Sequence, residues 1–157
     1  MKQLFIASDH AGFQLKEQLR AALGHHYRVV DCGNTILDPH DDYPRFAANV
    51  ARESVKHATF GIIICGTAEG VCIAANKIRG ARAIAAHTPL LAKLAREHNN
   101  ANILCLAGGK TVSRVRGLGL TFPTALRIAQ TFLTTPFSDK SRHRRRVDQI
   151  ARLDRER

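Results

Sequence analysis

The sequence lacks several features that mark common classes of protein. It has no tryptophan, two tyrosines and one methionine in 157 residues, and it holds no recognised nucleic-acid-binding motif. No apolar run approaches the roughly 20 residues needed to span a bilayer. The start, MKQLFIASDHAG, has a short apolar stretch without a small-residue cleavage site, so a secretion signal is not expected. We therefore expect a cytoplasmic protein with no membrane partner.

Paired cysteines are also missing. The four cysteines lie far apart with no CxxC pair, which argues against a zinc knuckle; they are Cys32, Cys65, Cys72 and Cys105. The spacing C-x5-R of a phosphatase loop is absent too, because Val71 follows Gly70. In a reducing compartment a free cysteine is most often a buried, inert thiol. A reactive role for any one of them needs a specific local reason.

Acidic residues are scarce relative to basic ones. Lys and Arg number 24 and Asp and Glu number 13, which gives a formal net charge of +11. Much of the excess lies in the tail from 140 to 157, where eight basic residues stand against three acidic ones. A basic surface attracts polyanions, but the low count of Trp and Tyr argues against nucleic acid as a partner. A small phosphorylated substrate would use part of the same charge.

The sequence does contain an alternation of apolar strand-like runs and amphipathic helix-like segments. We predict strands at 3–8, 27–33, 60–66, 81–87 and 101–109. We predict helices at 11–23, 44–58, 69–78, 89–99, 123–133 and, in the tail, at about 138–153. Residues 110–121 are the least regular part and are predicted to form a loop with three basic residues.

Strands that alternate with helices form βαβ units around a parallel sheet. We therefore predict an α/β fold, a doubly wound, Rossmann-like parallel sheet of about five strands with helices on both faces. The length suits one full-sized core, and the sequence contains no repeat, low-complexity segment or linker. A single domain spanning 1–157 is expected.

Polar or reactive residues follow three of the predicted strands. The first strand leads into Ser8 to Gly12, the third into Cys65 to Gly70, and the fifth into Ala107 to Lys110. Ligands of open parallel sheets bind beyond the carboxyl ends of the strands. We expect these three segments to converge on one crevice.

Cys65 and the residues after it have the composition of a reactive thiol at a helix start. Gly66 and Gly70 permit a tight turn and a close approach of the backbone, and the next helix is predicted to start near Ala68. Its free N–H groups would bind an anion and lower the pKa of an adjacent thiol. Thr67 is a candidate helix cap or hydroxyl donor. The same segment is also consistent with an ordinary glycine-rich turn.

Other candidate site residues each have a plainer structural explanation. Asp9 at a strand end suits a helix cap beside a chance His10, and the helix dipole favours a histidine at a helix C-terminus, such as His98. Arg142 and Arg146 lie four residues apart on one helical face, which suits a phosphate through forked hydrogen bonding. Solvent-exposed charge would produce the same pattern.

Taken together, these motifs resemble those of the type B ribose-5-phosphate isomerases, a family that also includes galactose-6-phosphate isomerase subunits. The matching segments are SDHAGFQLK (8–16), DYP (42–44), ICGT (64–67), GVCIAANKIRGARA (70–83), EHNNANILCL (97–106) and SRHRRRV (141–147). They occur in the family's order and span nearly the whole chain, so the combination is far more specific than any single segment.

The resemblance implies an aldose–ketose isomerase of the pentose phosphate pathway. It would interconvert ribose 5-phosphate and ribulose 5-phosphate through an enediolate, without a metal or cofactor. Cys65 would be the base that moves the proton between C1 and C2. Thr67 and the backbone N–H groups from Gly66 to Gly70 would hold the enediolate oxygen, which is the charge-stabilising role such chemistry needs.

The resemblance also assigns the groups that bind the substrate. Asp9 and Tyr43 would bind sugar hydroxyls, and His10, Arg142 and Arg146 would hold the phosphate. Anchoring a phosphate far from the reacting carbon supplies binding energy that helps to orient the substrate.

Further implications concern a partner chain and one departure from the family pattern. His98 would help to open the sugar ring with Asn99 beside it, both reaching the partner's site in a homodimer or homotetramer. Lys110 stands nearest to the family's phosphate-binding arginine after the fifth strand, with Arg114 or Arg116 as alternatives. Ala68 replaces a family glycine, so its backbone is expected to avoid positive φ.

Alternatives to the five-carbon isomerase remain open at the level of sequence. A six-carbon substrate such as allose or galactose 6-phosphate is the nearest, because pocket size decides between them. A nucleic-acid-binding module would use the basic tail, and its affinity would fall steeply with salt concentration. A thiol enzyme would instead use Cys65 for covalent catalysis.

Overall fold

The computed structural model describes residues 1–109, 111–112, 115–116 and 119–156, and its centre is a five-stranded sheet. The strands are β1 (Lys2–Ser8), β2 (Tyr27–Asp31), β3 (Phe60–Cys65), β4 (Ala83–Ala85) and β5 (Ile103–Ala107), in the spatial order β2-β1-β3-β5-β4. Every neighbouring pair is parallel. The prediction of a parallel, doubly wound sheet is confirmed.

Six α-helices occur within the described residues. They are α1 (Phe13–Leu23), α2 (Tyr43–Lys56), α3 (Glu69–Ala75), α4 (Pro89–Asn99), α5 (Phe122–Thr134) and α6 (Ser141–Leu153). All six were predicted, but α3 ends three residues early. Asn76 explains this end, because its side chain exchanges two hydrogen bonds of 2.9 Å with the backbone of Ala83 and so ties the chain to β4.

The segment predicted as a loop at 110–121 contains two short strands. β6 (Thr111–Val112) and β7 (Val115–Arg116) pair antiparallel as a small second sheet. The expectation of a plain loop was therefore wrong for these four residues. A strand of two residues has too little alternation for a period-two pattern to reveal it.

Two apolar cores cover the two faces of the sheet. On one face α1, α4 and α5 pack over β1, β3 and β5, with buried side chains such as Leu19, Leu104 and Phe132. On the other face α2 and α3 contribute Val50, Val71 and their neighbours. Burying both faces explains why the central strands are uniformly apolar.

The strand order brings the ends of β1, β3 and β5 side by side. At this end, called here the carboxyl edge, the N–H of Asp9 donates to the carbonyl of Ile64 at 3.3 Å, and the N–H of Gly108 donates to the carbonyl of Cys65 at 2.8 Å. The three tips expected to converge do so. The opposite end of the sheet, where the strands begin, is called the amino edge.

Helix α6 runs along the amino edge. The N–H of Ser138, just before it, donates to the carbonyl of Glu97 at 3.2 Å, near the end of α4. At its other end Asp154 accepts from the N–H of Gly80 at 2.8 Å, in the loop that leads into β4. Among the described residues, no helix combines the length and apolar character that crossing a membrane would need.

Candidate active site

Cys65 is the last residue of β3 and lies at the centre of the carboxyl edge. It is 5% exposed. Backbone N–H groups of Val71, Thr67 and Ala68 face its sulfur, because the chain turns sharply from β3 into α3. A sulfur surrounded by three amides suits a group that carries negative charge during a reaction.

The pKa of Cys65 differs from the expectation. Burial raises it, and the three backbone N–H groups offset this only in part, while the nearby carboxylate of Asp9 raises it further. The predicted lowering by a helix N-terminus is wrong for the single chain, because α3 has only seven residues and no cation stands beside the sulfur among the groups that shift it. Removal from water therefore decides the direction.

The other cysteines do not compete for this role. Burial raises the pKa of Cys32 to about 11, and Cys105 is fully buried with its pKa raised as well. A hydrogen bond from Cys105 lowers the pKa of Cys72, whose own thiol donates to the carbonyl of Ala83 at 3.3 Å. Cys72 and Cys105 lie in α3 and β5 and pack beside β4, whereas Cys32 follows β2.

Ala68 adopts the backbone conformation that it was expected to avoid. Its φ is 75° and its ψ is −21°, in the left-handed region, and it forms the N-cap of α3 without a side-chain hydrogen bond. Thr67, the predicted cap, stands one residue earlier. Neither Gly66 nor Gly70 has a positive φ, so an alanine carries the strained geometry, which costs about 1 kcal/mol or more.

Tyr43 and Gly70 lie against each other at the edge of the crevice. Tyr43 is the first residue of α2 and is 39% exposed. A Cβ added to Gly70 would lie 2.7 Å from Cζ of the Tyr43 ring and 2.9 Å from its hydroxyl oxygen. Only glycine at position 70 lets the tyrosine come this close, so the two predicted substrate-binding residues share one wall.

Asp9 and His10 stand at the tip of β1. Asp9 is buried and caps the short 3-10 turn His10–Gly12, accepting from the N–H of Gly12 at 3.1 Å. Burial raises the pKa of Asp9, against the opposing effects of the Gly12 N–H and of His10. The capping role that the sequence suggested is thus present, in addition to a place in the crevice beside Cys65.

His10 is held by Asp41, a residue that the sequence analysis did not single out. The N–H of His10 donates to Asp41 Oδ1 at 2.9 Å, and its Nδ1 lies 2.8 Å from the same oxygen. The hydrogen bond to Asp41 raises the pKa of His10, partial burial opposes it, and the charge of Asp9 adds to it. The polar segment at 35–44 holds three aspartates, but sequence spacing cannot show which of them meets a residue 31 positions away.

His98 and Asn99 lie at the opposite end of the sheet. Both belong to the last turn of α4, a helix that runs back from the end of β4 to the start of β5. In the same turn the guanidinium of Arg96 stacks on Phe60, the first residue of β3, at 4.7 Å from the ring centroid. This turn therefore sits at the amino edge.

Arg142 and Arg146 lie with His98 rather than with Cys65. The His98 and His143 rings are 4.2 Å apart between centroids, and Nε of Arg142 donates to Nε2 of His143 at 3.1 Å. His143 is buried at 3% exposure, while Arg142 and Arg146 are exposed. The burial of His143 was not anticipated, because an arginine-rich run suggests a solvated face.

One chain thus carries the predicted site residues in two groups. The carboxyl-edge group is Asp9, His10, Tyr43, Cys65, Gly66, Thr67 and Gly70, and the amino-edge group is His98, Asn99, Arg142 and Arg146. Strand β3 separates the edges by about 17 Å, since its first and last Cα atoms are five steps of roughly 3.3 Å apart. The two groups do not meet within a single chain.

The remaining charged residues lie in and around the loop after β5 and the start of α3. Lys110 and Arg114 lie outside the described residues, and Arg116 is described only as part of β7. Glu69, in the first turn of α3, is exposed, and its carboxylate lies 3.9 Å from Nε2 of His87. Among the described residues, no three His, Cys, Asp or Glu side chains cluster as a metal ion would require.

Comparison with known proteins connects this arrangement to a family. The model of the Ribose/Galactose Isomerase family matches residues 4–150. Ribose-5-phosphate isomerase B of Mycolicibacterium paratuberculosis is 41% identical over 157 residues, which cover 98% of this chain and 92% of the relative. The probable ribose-5-phosphate isomerase B of Mycoplasma genitalium is 42% identical, covering 98% and 96%.

Solved structures agree in fold as well as in sequence. Ribose-5-phosphate isomerase B from Mycoplasma genitalium, with bound ribulose-5-phosphate, superposes with a TM-score of 0.88 at 40% identity, covering 99% of this chain and 97% of that one. The Thermotoga maritima enzyme superposes at 0.85 with 41% identity, covering 96% and 98%. With near-complete coverage at this identity, and with the motif residues in place at both edges of the sheet, the chain belongs to the Ribose/Galactose Isomerase family.

Proposed function

We propose that this enzyme interconverts ribose 5-phosphate and ribulose 5-phosphate by proton transfer through an enediolate. The observation that carries the proposal is the carboxyl edge itself, where a thiol faces three backbone N–H groups beside Asp9. The relatives that cover nearly the whole chain are isomerases of this substrate. Proton transfer between adjacent carbons needs one base and donors for the developing oxygen charge, and both kinds of group are present there.

In the proposed chemistry Cys65 takes the proton from one carbon and returns it to its neighbour. The backbone N–H groups at 67, 68 and 71 lie beside the sulfur and are the available donors for the enediolate. Asp9 and Tyr43 flank the same crevice and supply hydrogen-bonding groups for the sugar hydroxyls. His10 stands at the neighbouring strand tip, where it would bind the phosphate.

The site is proposed to be completed by a second copy of the chain. His98, Asn99 and the Arg142–Arg146 pair lie at the amino edge, and their own Cys65 ends the roughly 17 Å of β3 at the carboxyl edge, so we propose that they do not serve that site. In a two-fold symmetric dimer the amino edge of one copy would face the carboxyl edge of the other. The cations of the second copy would then oppose the raised pKa of Cys65.

A six-carbon sugar phosphate is the second candidate substrate. The matching family model carries galactose as well as ribose in its description. A six-carbon substrate is longer than a five-carbon one by about one carbon, and a pocket discriminates such a difference by roughly 1–3 kcal/mol. The family description names both sugars and does not choose between them, so the assay below includes substrates of both lengths.

The test is an isomerisation assay on ribose 5-phosphate, ribulose 5-phosphate, allose 6-phosphate and galactose 6-phosphate, run with and without a chelator. We expect kcat/KM to be highest for the five-carbon pair. Cys65→Ala should lower kcat by roughly 10²–10⁴, the usual contribution of a general base, with Cys32→Ala as the matched control at wild-type activity. Full activity of Cys65→Ala would remove the thiol from the mechanism.

The cellular setting is proposed to be the cytoplasm. All four cysteines are free, as expected for a reducing compartment. One domain over residues 1–157 and the absence of a cofactor remain predictions, which limited truncation and assay of chelated, dialysed protein would test.

A further inference from the structure

The side chain of Asp41 is almost completely buried, yet it belongs to an irregular loop. It is 2% exposed. Besides its two contacts with His10, its Oδ2 accepts from Nδ2 of Asn34 at 3.1 Å. Burying a carboxylate costs desolvation free energy, which hydrogen bonds and a nearby positive charge offset. The three donors around Asp41 therefore mark it as a charge that the fold holds in a fixed place.

The loop that carries Asp41 is anchored from beneath by a buried lysine. Lys16 of α1 is fully buried. Its Nζ donates to Asp31 Oδ2 at 2.5 Å and to the carbonyl oxygen of Asn34 at 2.6 Å. Asn34 in turn holds Asp41, so the position of the carboxylate is fixed by the folded core rather than by the loop alone.

The geometry also determines which ring nitrogen of His10 carries a proton. Because a carboxylate only accepts hydrogen bonds, Nδ1 of His10 must donate to Asp41. In the neutral ring this leaves Nε2 as a bare acceptor, which would repel a phosphate oxygen. Only the imidazolium form presents a second N–H, and among the described residues Nε2 has no hydrogen-bond partner.

His10 also borders an open space at the carboxyl edge. Its side chain is 43% exposed, and it lines a hollow of about 450 Å³ together with Gly108 and Thr121. The carboxylates that face His10 are Asp41 and Asp9, and both favour its charged form. A phosphate group arriving here would meet a cation whose orientation is already set.

We propose that Asp41 is the positioning residue that holds His10 as an oriented imidazolium, so that its Nε2–H donates to the phosphate group of the substrate. This inference rests on the proposed function, in which His10 binds that phosphate. Asp41 itself does not contact substrate. It acts through one hydrogen bond and one charge, and Asn34 and Lys16 keep it in place.

Two measurements test the proposal on Asp41→Asn, which keeps the shape of the side chain and removes its charge. The first is an NMR pH titration of the His10 ring in protein without substrate, assigned by comparison with His10→Gln. The titration midpoint should fall in Asp41→Asn and stay unchanged in the matched control Asp38→Asn, an exposed aspartate of the same loop. An unchanged midpoint in Asp41→Asn overturns the proposal.

The second measurement is the pH dependence of KM and kcat for ribose 5-phosphate. Loss of one charge-assisted hydrogen bond should raise KM roughly tenfold between the two titration midpoints, where only the wild-type ring is protonated. The effect should be smaller below both midpoints and above both, and kcat should change little. In a His10→Gln background, Asp41→Asn should add no further loss. A parallel fall in kcat at every pH, or an undiminished effect in that background, contradicts the positioning role.

The two proposals fail in distinguishable ways. Absence of isomerisation by the wild-type protein would overturn the proposed function, and with it the phosphate role of His10. The substrate-free titration, by contrast, depends on no activity. A normal assay together with an unchanged titration midpoint would overturn the Asp41 inference alone.

Discussion

His10 at the carboxyl edge and His143 at the amino edge are both hydrogen-bonded histidines, but their surroundings favour opposite charge states. A carboxylate contacts His10 and raises its pKa. Removal from water, with the nearby His98 and Arg142, lowers the pKa of His143. His143 accepts from Arg142 at Nε2, so its Nδ1 donates to Oγ of Ser138 at 2.7 Å. The partner, and not the residue type, decides the charge.

The same contrast extends to the two groups of site residues. The carboxyl edge holds the thiol, its amides and one imidazole, that of His10, but the other charged groups described around them are the carboxylates of Asp9 and Asp41. The amino edge holds exposed guanidiniums and a half-buried imidazole, with no thiol among the residues placed there. Each edge has what the other lacks for binding and isomerising a sugar phosphate, which is the physical reason to expect two copies per site.

The largest expected effect is rescue between two inactive variants. Cys65→Ala and His98→Ala should each lower kcat by about 10²–10⁴. After the two are unfolded and refolded together, random pairing into dimers should restore about one quarter of wild-type activity, because half the dimers are mixed and half of their sites are intact. Activity that stays at the single-variant level after mixing would place both residues in the same chain's site.

A second expected effect concerns the wall shared by Tyr43 and Gly70. Gly70→Ala places a methyl group 2.7 Å from the ring, so the free energy of unfolding should fall by about 1 kcal/mol as the ring is displaced. In a Tyr43→Ala background the same change should stabilise by about 0.5–1 kcal/mol, because alanine suits a helix better than glycine. Urea denaturation measures both changes. If Gly70→Ala changed the free energy of unfolding equally with and without the Tyr43 ring, the two residues would not be energetically coupled.

The contrast between the histidines can be sharpened by the pH dependence of stability. The raised pKa of His10 means that its pairing with Asp41 stabilises the fold fully below about pH 6.5 and is lost as pH rises above that value. The lowered pKa of His143 has the opposite sign, because the unfolded chain binds a proton that the folded ring excludes as pH falls below about 6.5.

Urea denaturation across that range measures both histidines. The stability difference between wild type and Asp41→Asn should shrink as pH rises, and the difference between wild type and His143→Gln should shrink as pH falls. Arg145→Gln, an exposed change on α6, controls for general surface charge. If the stability losses of Asp41→Asn and His143→Gln changed in the same direction with pH, the two histidines would not have opposite preferences for the charged form.

The smallest expected effect tests the strained turn after Cys65. Ala68→Gly relieves left-handed backbone strain of about 1–2 kcal/mol, but loses a buried methyl group and adds flexibility to the unfolded chain. The net change in unfolding free energy should stay within about 1 kcal/mol. Ala75→Gly, also fully buried but in ordinary helical geometry, should cost about 2 kcal/mol. Equal losses would mean that Ala68 carries no strain.

Much of the fold was predictable because its signals are local. Gly24 follows α1, Pro89 starts α4, and the apolar run at 60–65 forms the central strand β3. These patterns depend on backbone propensity and on burial of both sheet faces. The end of α3 and the start of α6 were less predictable, because Asn76 forms hydrogen bonds to Ala83 of β4 and the N–H of Ser138 donates to the carbonyl of Glu97 in α4.

The candidate site was predictable only in part. Cys65, Asp9 and His10 follow from their positions at strand ends. Asp41 did not, because its importance arises from a contact across 31 residues. The positive φ of Ala68 was not predictable, because alanine disfavours this backbone conformation. The packing of α3 on β3 holds it there despite the strain.

By itself the sequence determined the parallel α/β architecture, the family and the set of reactive side chains, because alternating hydrophobic periods and a thiol after a buried strand need no distant partner to be recognised. The tertiary structure alone decided where those side chains lie. Helix α4 must return from the end of one strand to the start of the next, so His98 is carried to the edge opposite Cys65. The tertiary structure also decided the charge states of the reactive side chains, since burial and neighbouring carboxylates exist only once the chain is folded.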